Sequence, residues 1–372
     1  MTNFIKSMSQ SSKSFVSPNM SALLTLIAIR LKSITSGEEG SLSAANITYL
    51  ETCLRFVRYV FQISSMYSSN IAFNLFSSEH GEFVHFISTT ITFIVQKPKH
   101  VVQLTDEILF IFIILCYSHF PKSQIKIKLV DFAIQSENES LFESFLYVLT
   151  SFSLSSSRPA SWMSTIYHST RYITGLVTLG YLGGGQTEIN DHTTYYSQFI
   201  LNYFLYSHEF SSVAQKFFNK LVIDKVGSET TESVVMSVDV IKIDDIFKKI
   251  SSDDNELLLI LLYGLMRNNS TIKAAFIDSS YSEHLVRVLM IKVMSLCLLL
   301  YQNEKHSYYR ITTALIILLT LTSESKFVEF LHSKMMAKLS WFQEQYRSDS
   351  WSASNVIFFC IIKSLKGNKV FS

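Results

Sequence analysis

Apolar residues recur every three or four positions along most of the chain, which is the pattern of helices that bury one face. Residues 45–65 show this pattern clearly. Their apolar positions are Ile47, Leu50, Cys53, Leu54, Val57, Val60, Phe61 and Ile63. Arg55, Arg58 and Gln62 fall outside this stripe, so the segment is predicted to be a helix with one buried face.

The same periodicity predicts helices through the rest of the chain. They cover residues 20–34, 45–65, 82–95, 105–118, 125–134, 139–151, 160–179, 193–206, 209–222, 254–267, 271–278, 281–302, 306–322, 324–335, 336–347 and 351–365. Asn19 or Ser21 is expected to cap the first helix. Asp106 and Glu107 are expected to open the fourth, because carboxylates stabilise the positive end of a helix.

Polar stretches between these helices predict the loops. Residues 35–44, the serine-rich 151–157 and the glycine-rich 180–191 are interpreted as loops. Residues 223–239, rich in Ser, Thr and Val, are interpreted either as a short strand or as an extended loop.

Many helices with short polar linkers predict an all-α fold. The architecture expected is an irregular α-solenoid of stacked helix pairs, as in HEAT and armadillo proteins, whose repeats span roughly 40–47 residues. Four segments are predicted: a flexible N-terminal tail (1–17), N-terminal helical repeats (18–179), a loop-interrupted helical segment (180–242) and C-terminal helical repeats (243–372). The sequence itself shows no clear repeat, so this spacing depends on the helical alternation.

The composition supports buried helices rather than a disordered or nucleic-acid-binding chain. Hydrophobic residues make up 48% of the 372 residues, charged residues 17%, and the net charge is +2. Disorder requires low hydrophobicity and high net charge, and nucleic-acid binding requires concentrated Lys and Arg. The longest apolar runs, at 108–117, 257–266 and 314–321, are shorter than the about 20 residues of a membrane-spanning helix. We therefore interpret them as core helices.

Residues that could carry chemistry are scattered. The cysteines Cys53, Cys116, Cys297 and Cys360 are far apart in sequence and are expected to be reduced core residues. The glycine cluster ending at Gly185 is followed by Gln186 rather than the Lys of a phosphate-binding loop. The histidines lack the spacing of a metal site.

The remaining charged groups also have structural interpretations. The pairs Asp244-Asp245 and Asp253-Asp254 are expected at helix starts. Lysines between 122 and 128 are expected on a solvated face, with contact to anionic lipid as the alternative. No catalytic residue, cofactor, metal or small-molecule substrate is therefore predicted, and no nucleic-acid partner.

The chain from Asn255 to Lys366 resembles the dymeclin family. The resemblance begins in NELLLILLYGLMR at residues 255–267 and continues in ALIILLTLTSES at 314–325, an aliphatic helix followed by a polar turn. Phe327, the pair Leu331-His332, the Trp-Phe-Gln-Glu sequence at 341–344 and the helix headed by Ser354 continue it in the same order and spacing.

This resemblance implies an all-α, repeat-like fold and no enzyme activity. It also implies a cytoplasmic protein, peripheral on the Golgi membrane, that contacts other proteins there in Golgi organisation and vesicle traffic. A generic HEAT-type transport or adaptor module is the alternative, and a multi-span membrane protein a more remote one. The aromatic residues Trp341, Phe342 and Tyr346 are expected in the core rather than at an interface.

Two departures from the family pattern change the expectations. Some members begin Met-Gly for myristoylation, whereas Thr2 excludes that anchor in this sequence. The family also continues well beyond the last matching helix, whereas this sequence ends at Ser372. We therefore expect a divergent or truncated member, or a mis-predicted gene model.

Overall fold

A computed structural model describes residues 16–37, 43–67, 81–96, 102–117, 124–154, 186–220, 222–224, 240–242, 256–277, 307–333 and 351–367. The chain divides into two compact units, unit 1 (Met1–Phe217) and unit 2 (Phe218–Ser372). The described residues form α-helices, with short turns wherever the connection itself is described, apart from one pair of three-residue strands in unit 2. The predicted all-α class is confirmed.

Eight helices are described from Val16 to Lys220. They are α1 (Val16–Ser36), α2 (Ala44–Tyr67), α3 (Glu82–Gln96), α4 (Val102–Tyr117), α5 (Gln124–Ile134), α6 (Glu139–Leu154), α7 (Gln186–Tyr206) and α8 (Ser211–Lys220). The apolar stripe predicted in 45–65 forms the buried face of α2, where Leu54 and Val57 are fully buried. The helices of unit 1 contact one another in two rows, α1–α3–α6 and α2–α4–α7.

Several predicted helix ends were wrong. Helix α1 begins at Val16, so Asn19 and Ser21 lie inside it and do not cap it. Its first turn contains Pro18, where the missing backbone N–H would have had no intrahelical partner in any case. A glycine with positive φ, Gly37, ends this helix, and its N–H donates to the carbonyl of Ile34 at 3.3 Å.

Two helices extend into sequence that was interpreted as loop. Helix α6 continues through Leu154, because tertiary packing outweighs the low helix propensity of its serines: Ser153 is fully buried and its carbonyl accepts a hydrogen bond from Gln198 of α7 at 3.3 Å. Helix α7 begins at Gln186 rather than near residue 193. Its first six residues include a single aliphatic residue, so the periodicity gave no signal there.

Aromatic side chains fill the core between α6, α7 and α8. The ring of Phe142 lies 5.3 Å from that of Phe204 and 6.4 Å from that of Phe210, measured between centroids. All three are fully buried. Helix α4 carries the strongest apolar run, and Ile108, Leu109 and their apolar neighbours are buried between α2 and α7 as predicted.

Unit 2 contains the two strands and five described helices. The strands β1 (Val222–Asp224) and β2 (Val240–Lys242) pair in parallel, with Val222 opposite Val240. The helices are α9 (Glu256–Asn268), α10 (Ser270–Ile277), α11 (Ser307–Thr322), α12 (Ser325–Ser333) and α13 (Ala353–Gly367). Helix α9 packs on α10 and α11, and α12 contacts α11 and α13. Of the two alternatives for residues 223–239, a short strand is present at their start, as part of β1, and residues 225–239 lie outside the described part.

No helix among the described residues combines the length and the apolar character needed to cross a membrane.

Candidate functional site

The most distinctive group of polar side chains in unit 1 lies where α2, α4 and α7 meet. We call it the charge cluster, and it consists of Glu51, Arg55, Arg58, Asp106, Glu107 and Thr193. Helix α2 supplies the first three residues, α4 the two neighbouring carboxylates and α7 the threonine.

Glu107 is the centre of the charge cluster. Its side chain is 10% exposed, and its two oxygens face two arginines. The Nε of Arg55 donates to Oε1 at 3.1 Å, and Nη1 of Arg58 lies 2.8 Å from Oε2. Burial raises the pKa of the Glu107 carboxyl, while Arg58 and Arg55 lower it. The two arginines therefore offset part of the desolvation of this carboxylate, and its pKa stays above the ordinary value.

The two arginines differ in their surroundings. Arg55 is half exposed and also binds Glu51 one turn away, with Nη2 at 2.6 Å from Oε1. Arg58 is 19% exposed, and its guanidinium lies 5.0 Å from the ring centroid of Phe110 and 4.9 Å from that of Tyr59. Arg58 thus combines an ion pair with contacts to two aromatic faces.

Asp106 lies beside Glu107 but faces α7. It accepts a hydrogen bond from the Thr193 hydroxyl, and Thr193 is buried. The pKa of Asp106 is raised to about 7, mainly by burial. The hydrogen bond from Thr193 lowers this pKa, and the negative charge of Glu107 raises it. Asp106 is therefore partly protonated near neutral pH.

Asp106 and Glu107 do not have the role predicted for them. Helix α4 begins at Val102, so both carboxylates lie in its second turn rather than at its start. There they join neighbouring helices instead of stabilising the helix dipole. The sequence did offer a signal: two arginines three apart beside the stripe of α2, and two adjacent acids in the most apolar helix.

The chemical capacity of the charge cluster is structural. Its arginines are paired with Glu107 and Glu51, and the Asp106 carboxyl accepts the Thr193 hydroxyl. In the described part of the chain, no three His, Cys, Asp or Glu side chains come together as metal ligands would.

Other residues singled out in the sequence are placed individually. Cys116 is buried and Cys53 is half-buried, both as reduced thiols. His85 of α3 and His208 in the turn after α7 are exposed. The residues that lie outside the described side chains are Cys297, Cys360, Gly180, Gly183, Gly184, Gly185, His80, His119, His168, His306, Lys122, Lys126, Lys128, Asp244, Asp245, Asp253, Asp254, Trp341, Phe342 and Tyr346.

The described residues that carry the family resemblance serve packing and contacts between helices in unit 2. Phe327 and Leu331 of α12 are buried. His332 meets Ser354 of α13, with Nδ1 at 3.3 Å from Oγ. Asn269 follows the leucine-rich α9 and caps α10, since its Oδ1 accepts from the N–H of Ile272 at 2.9 Å.

Comparison with known proteins extends the resemblance to nearly the whole chain. The family model described as "Dymeclin: Dyggve-Melchior-Clausen syndrome protein" matches residues 6–370. Dymeclin of Xenopus laevis is 26% identical over 109 residues, which are 29% of this chain and 15% of that protein. The matching part therefore spans a small share of that relative's length. No solved structure matches the chain. Dymeclin is not known as an enzyme family. The family predicted from residues 255–366 is confirmed, and this chain belongs to the Dymeclin family.

Proposed function

We propose that this chain is a non-enzymatic helical scaffold that acts through protein–protein contacts at Golgi membranes. Its role would be in Golgi organisation and secretory traffic, with peripheral rather than spanning attachment. The observation that carries the proposal is the Dymeclin family match over residues 6–370.

The helix contacts of unit 1 support a scaffold built from stacked pairs. Helices α1, α3 and α6 contact in one row and α2, α4 and α7 in the other, as alternate helices do in an α-solenoid. The first row begins at Val16, Glu82 and Glu139, so its spacing is longer than the about 40–47 residues of HEAT repeats. We therefore propose an irregular α-solenoid, whose stacked helices would present a long surface to partners.

Three ion pairs in the described parts of the two units support the same interpretation, because each joins one helix to another or to its flanking turn. Arg58 and Glu107 connect α2 to α4, and Lys216 pairs with Glu139 across α8 and α6. In unit 2, Lys273 of α10 pairs with Glu324 beside α12. Charges arranged in this way stiffen a framework rather than assemble a reaction site.

Localisation in cells tests the proposal directly. A tagged copy of the full chain is expressed, cells are lysed at low salt, and membrane fractions are probed beside a Golgi marker. We expect the chain to co-sediment with the marker and to be released by alkaline carbonate without detergent. The variant Leu109→Asp places a charge in the core of unit 1 and serves as a misfolded control. An even cytosolic distribution of the wild-type chain, without Golgi co-staining, would contradict the proposal.

A helical transport or adaptor module acting away from the Golgi is the second candidate. The two helix rows of unit 1 favour it equally, because that arrangement is common to HEAT-type modules in general. Affinity purification of the tagged chain separates the two candidates. Golgi and vesicle proteins among the co-purified partners support the first, whereas import cargo or nuclear proteins support the second.

A further inference from the structure

Helix α7 contacts α4 partly through a hydrogen bond to the acidic side chain of Asp106. Helix α7 packs on α4 and α6, largely through aromatic and aliphatic side chains. Among these contacts the hydroxyl of Thr193 donates to the carboxyl of Asp106. Thr193 is buried and Asp106 is partly buried, so the charge on this carboxyl matters to the docking of α7.

The charge balance of the cluster indicates which form of Asp106 the docked state accommodates. Arg55 and Arg58 carry two positive charges, and Glu51 and Glu107 carry two negative charges. An ionised Asp106 adds a third negative charge beside Glu107. Among the described residues, no Lys or Arg lies within ion-pair distance of the Asp106 carboxyl.

Helices α2, α7 and α5 pack on α4, and each carries charged or titratable groups with described side chains. Helix α2 contributes Glu51, Arg55 and Arg58, whose described ion pairs are with one another and Glu107. Helix α7 contributes Thr193, and His192 precedes it and stacks on Tyr196 at 5.7 Å between ring centroids. The acid of α5 with a described side chain, Asp131, is exposed.

We propose that Asp106 is a proton-operated latch between α4 and α7. With the proton bound, the cluster is neutral and α7 is docked. When the proton leaves for solvent, a partly buried negative charge remains beside Glu107, and the docking of α7 weakens. Weaker docking of α7 would loosen its ring contacts with α4. In the docked state the ring centroids of Phe110 and Tyr196 are 5.4 Å apart, and those of Tyr117 and Phe199 are 5.7 Å apart.

The direction of the effect follows from the linkage between proton binding and docking. The docked state holds the proton with a pKa of about 7, whereas an undocked, solvated aspartate has a pKa of about 3.9. The docked state therefore binds more protons between these values, so docking weakens as the pH rises from about 4 and levels off above about 7. With these values the docking equilibrium falls about tenfold between pH 6 and pH 8.

Hydrogen exchange of the full chain tests the latch. Amide protection of α7 is measured at pH 6 and pH 8 by mass spectrometry and corrected for the intrinsic exchange rate at each pH. We expect the protection of the wild-type α7 to fall about tenfold. Asp106→Asn mimics the neutral carboxyl, so α7 should keep its protection at both values. Asp131→Asn changes an exposed acid and should behave as wild type.

Two further variants make the result decisive. Thr193→Val removes a hydrogen bond that favours the ionised carboxyl, so the fall in α7 protection should extend to higher pH and exceed tenfold between pH 6 and pH 8. This readout also tests the latch if Asp106→Asn fails to fold. His192→Gln should keep the wild-type pH dependence. The latch is refuted if wild-type α7 shows no change, if Asp106→Asn keeps the tenfold fall, or if His192→Gln abolishes it.

Discussion

Replacing Arg58 with alanine should destabilise unit 1 far more than replacing Arg55. Arg58 is 19% exposed and its Nη1 lies 2.8 Å from a carboxylate that is 10% exposed. Removing one partner of a fully buried pair costs about 3–5 kcal/mol. Because Arg55 would still face Glu107, the lost pairing should cost about 2–3 kcal/mol, and the lost aromatic contacts about 0.5–1 kcal/mol. We therefore expect the free energy of unfolding to fall by about 3 kcal/mol.

Arg55→Ala is the matched control on the same helix. Arg55 also contacts Glu107, at 3.1 Å, but half of its side chain is exposed, so its loss should cost under about 1 kcal/mol. Urea unfolding followed by far-UV circular dichroism measures both variants. The double variant Arg58→Met with Glu107→Leu should recover much of the Arg58→Ala loss, because no unpaired charge remains buried.

The pH dependence of the Arg58→Ala loss provides a second check. Arg58 lowers the pKa of Glu107, so its removal raises that pKa in the folded state further above the unfolded value. The loss should then shrink as the pH falls and Glu107 is protonated. Equal losses for the two arginine variants, or a loss at Arg58 independent of pH, would refute the assignment of Glu107 as a buried, arginine-dependent carboxylate.

Three other predictions concern different residues. Asp106→Asn should be more stable than wild type at pH 8, by at most about 4 kcal/mol, and should match it near pH 4. The reason is that the folded-state pKa of Asp106, about 7, exceeds the unfolded value, and urea titrations at both pH values measure the difference. Leu321→Ala, at a fully buried position of α11, should lower the free energy of unfolding by about 2–5 kcal/mol. Leu319→Ala, at a position that is 72% exposed, should change it by no more than about 0.5 kcal/mol. Thermal melts that do not separate the two variants would contradict the placement of α11. Asn269→Ala should lower the free energy of unfolding by about 1–3 kcal/mol, because it removes the cap of α10 and the 2.7 Å hydrogen bond to the carbonyl of Phe218. Unchanged hydrogen exchange in residues 270–277 would argue against both roles.

The periodicity of the sequence predicted the buried faces but not their partners. In α2 the stripe with Leu54 and Val57 was apparent, since the position of a side chain on a helix depends on local spacing alone. The pairing of Arg55 with Glu107 joins residues 52 apart in sequence. The spacing of residues within one helix does not predict which other helix its polar face contacts. The charge cluster is therefore apparent only from the packing of α2 on α4.

Helix ends were harder to predict than helix faces for a related reason. Ser153 has a low intrinsic preference for helix, yet its segment stays helical because α7 packs on it. The start of α7 has the opposite problem, because residues 186–191 carry too few apolar side chains to reveal a stripe. Both ends depend on contacts with a distant helix rather than on the preferences of their own residues.

The position of α4 between α2 and α7 has a consequence for synthesis on the ribosome. Helix α4 ends at Tyr117 and its cover α7 ends at Tyr206, about 90 residues later. At a translation rate of about 5–20 residues per second, α4 is complete roughly 4–18 s before α7, the segment that covers it. During that interval Phe110 and Tyr117 lack the partner rings Tyr196 and Phe199, so we expect this face of α4 to be accessible to chaperones and to other nascent chains. The yield of this protein should therefore respond to translation speed between residues 118 and 206, even when the finished chain is stable.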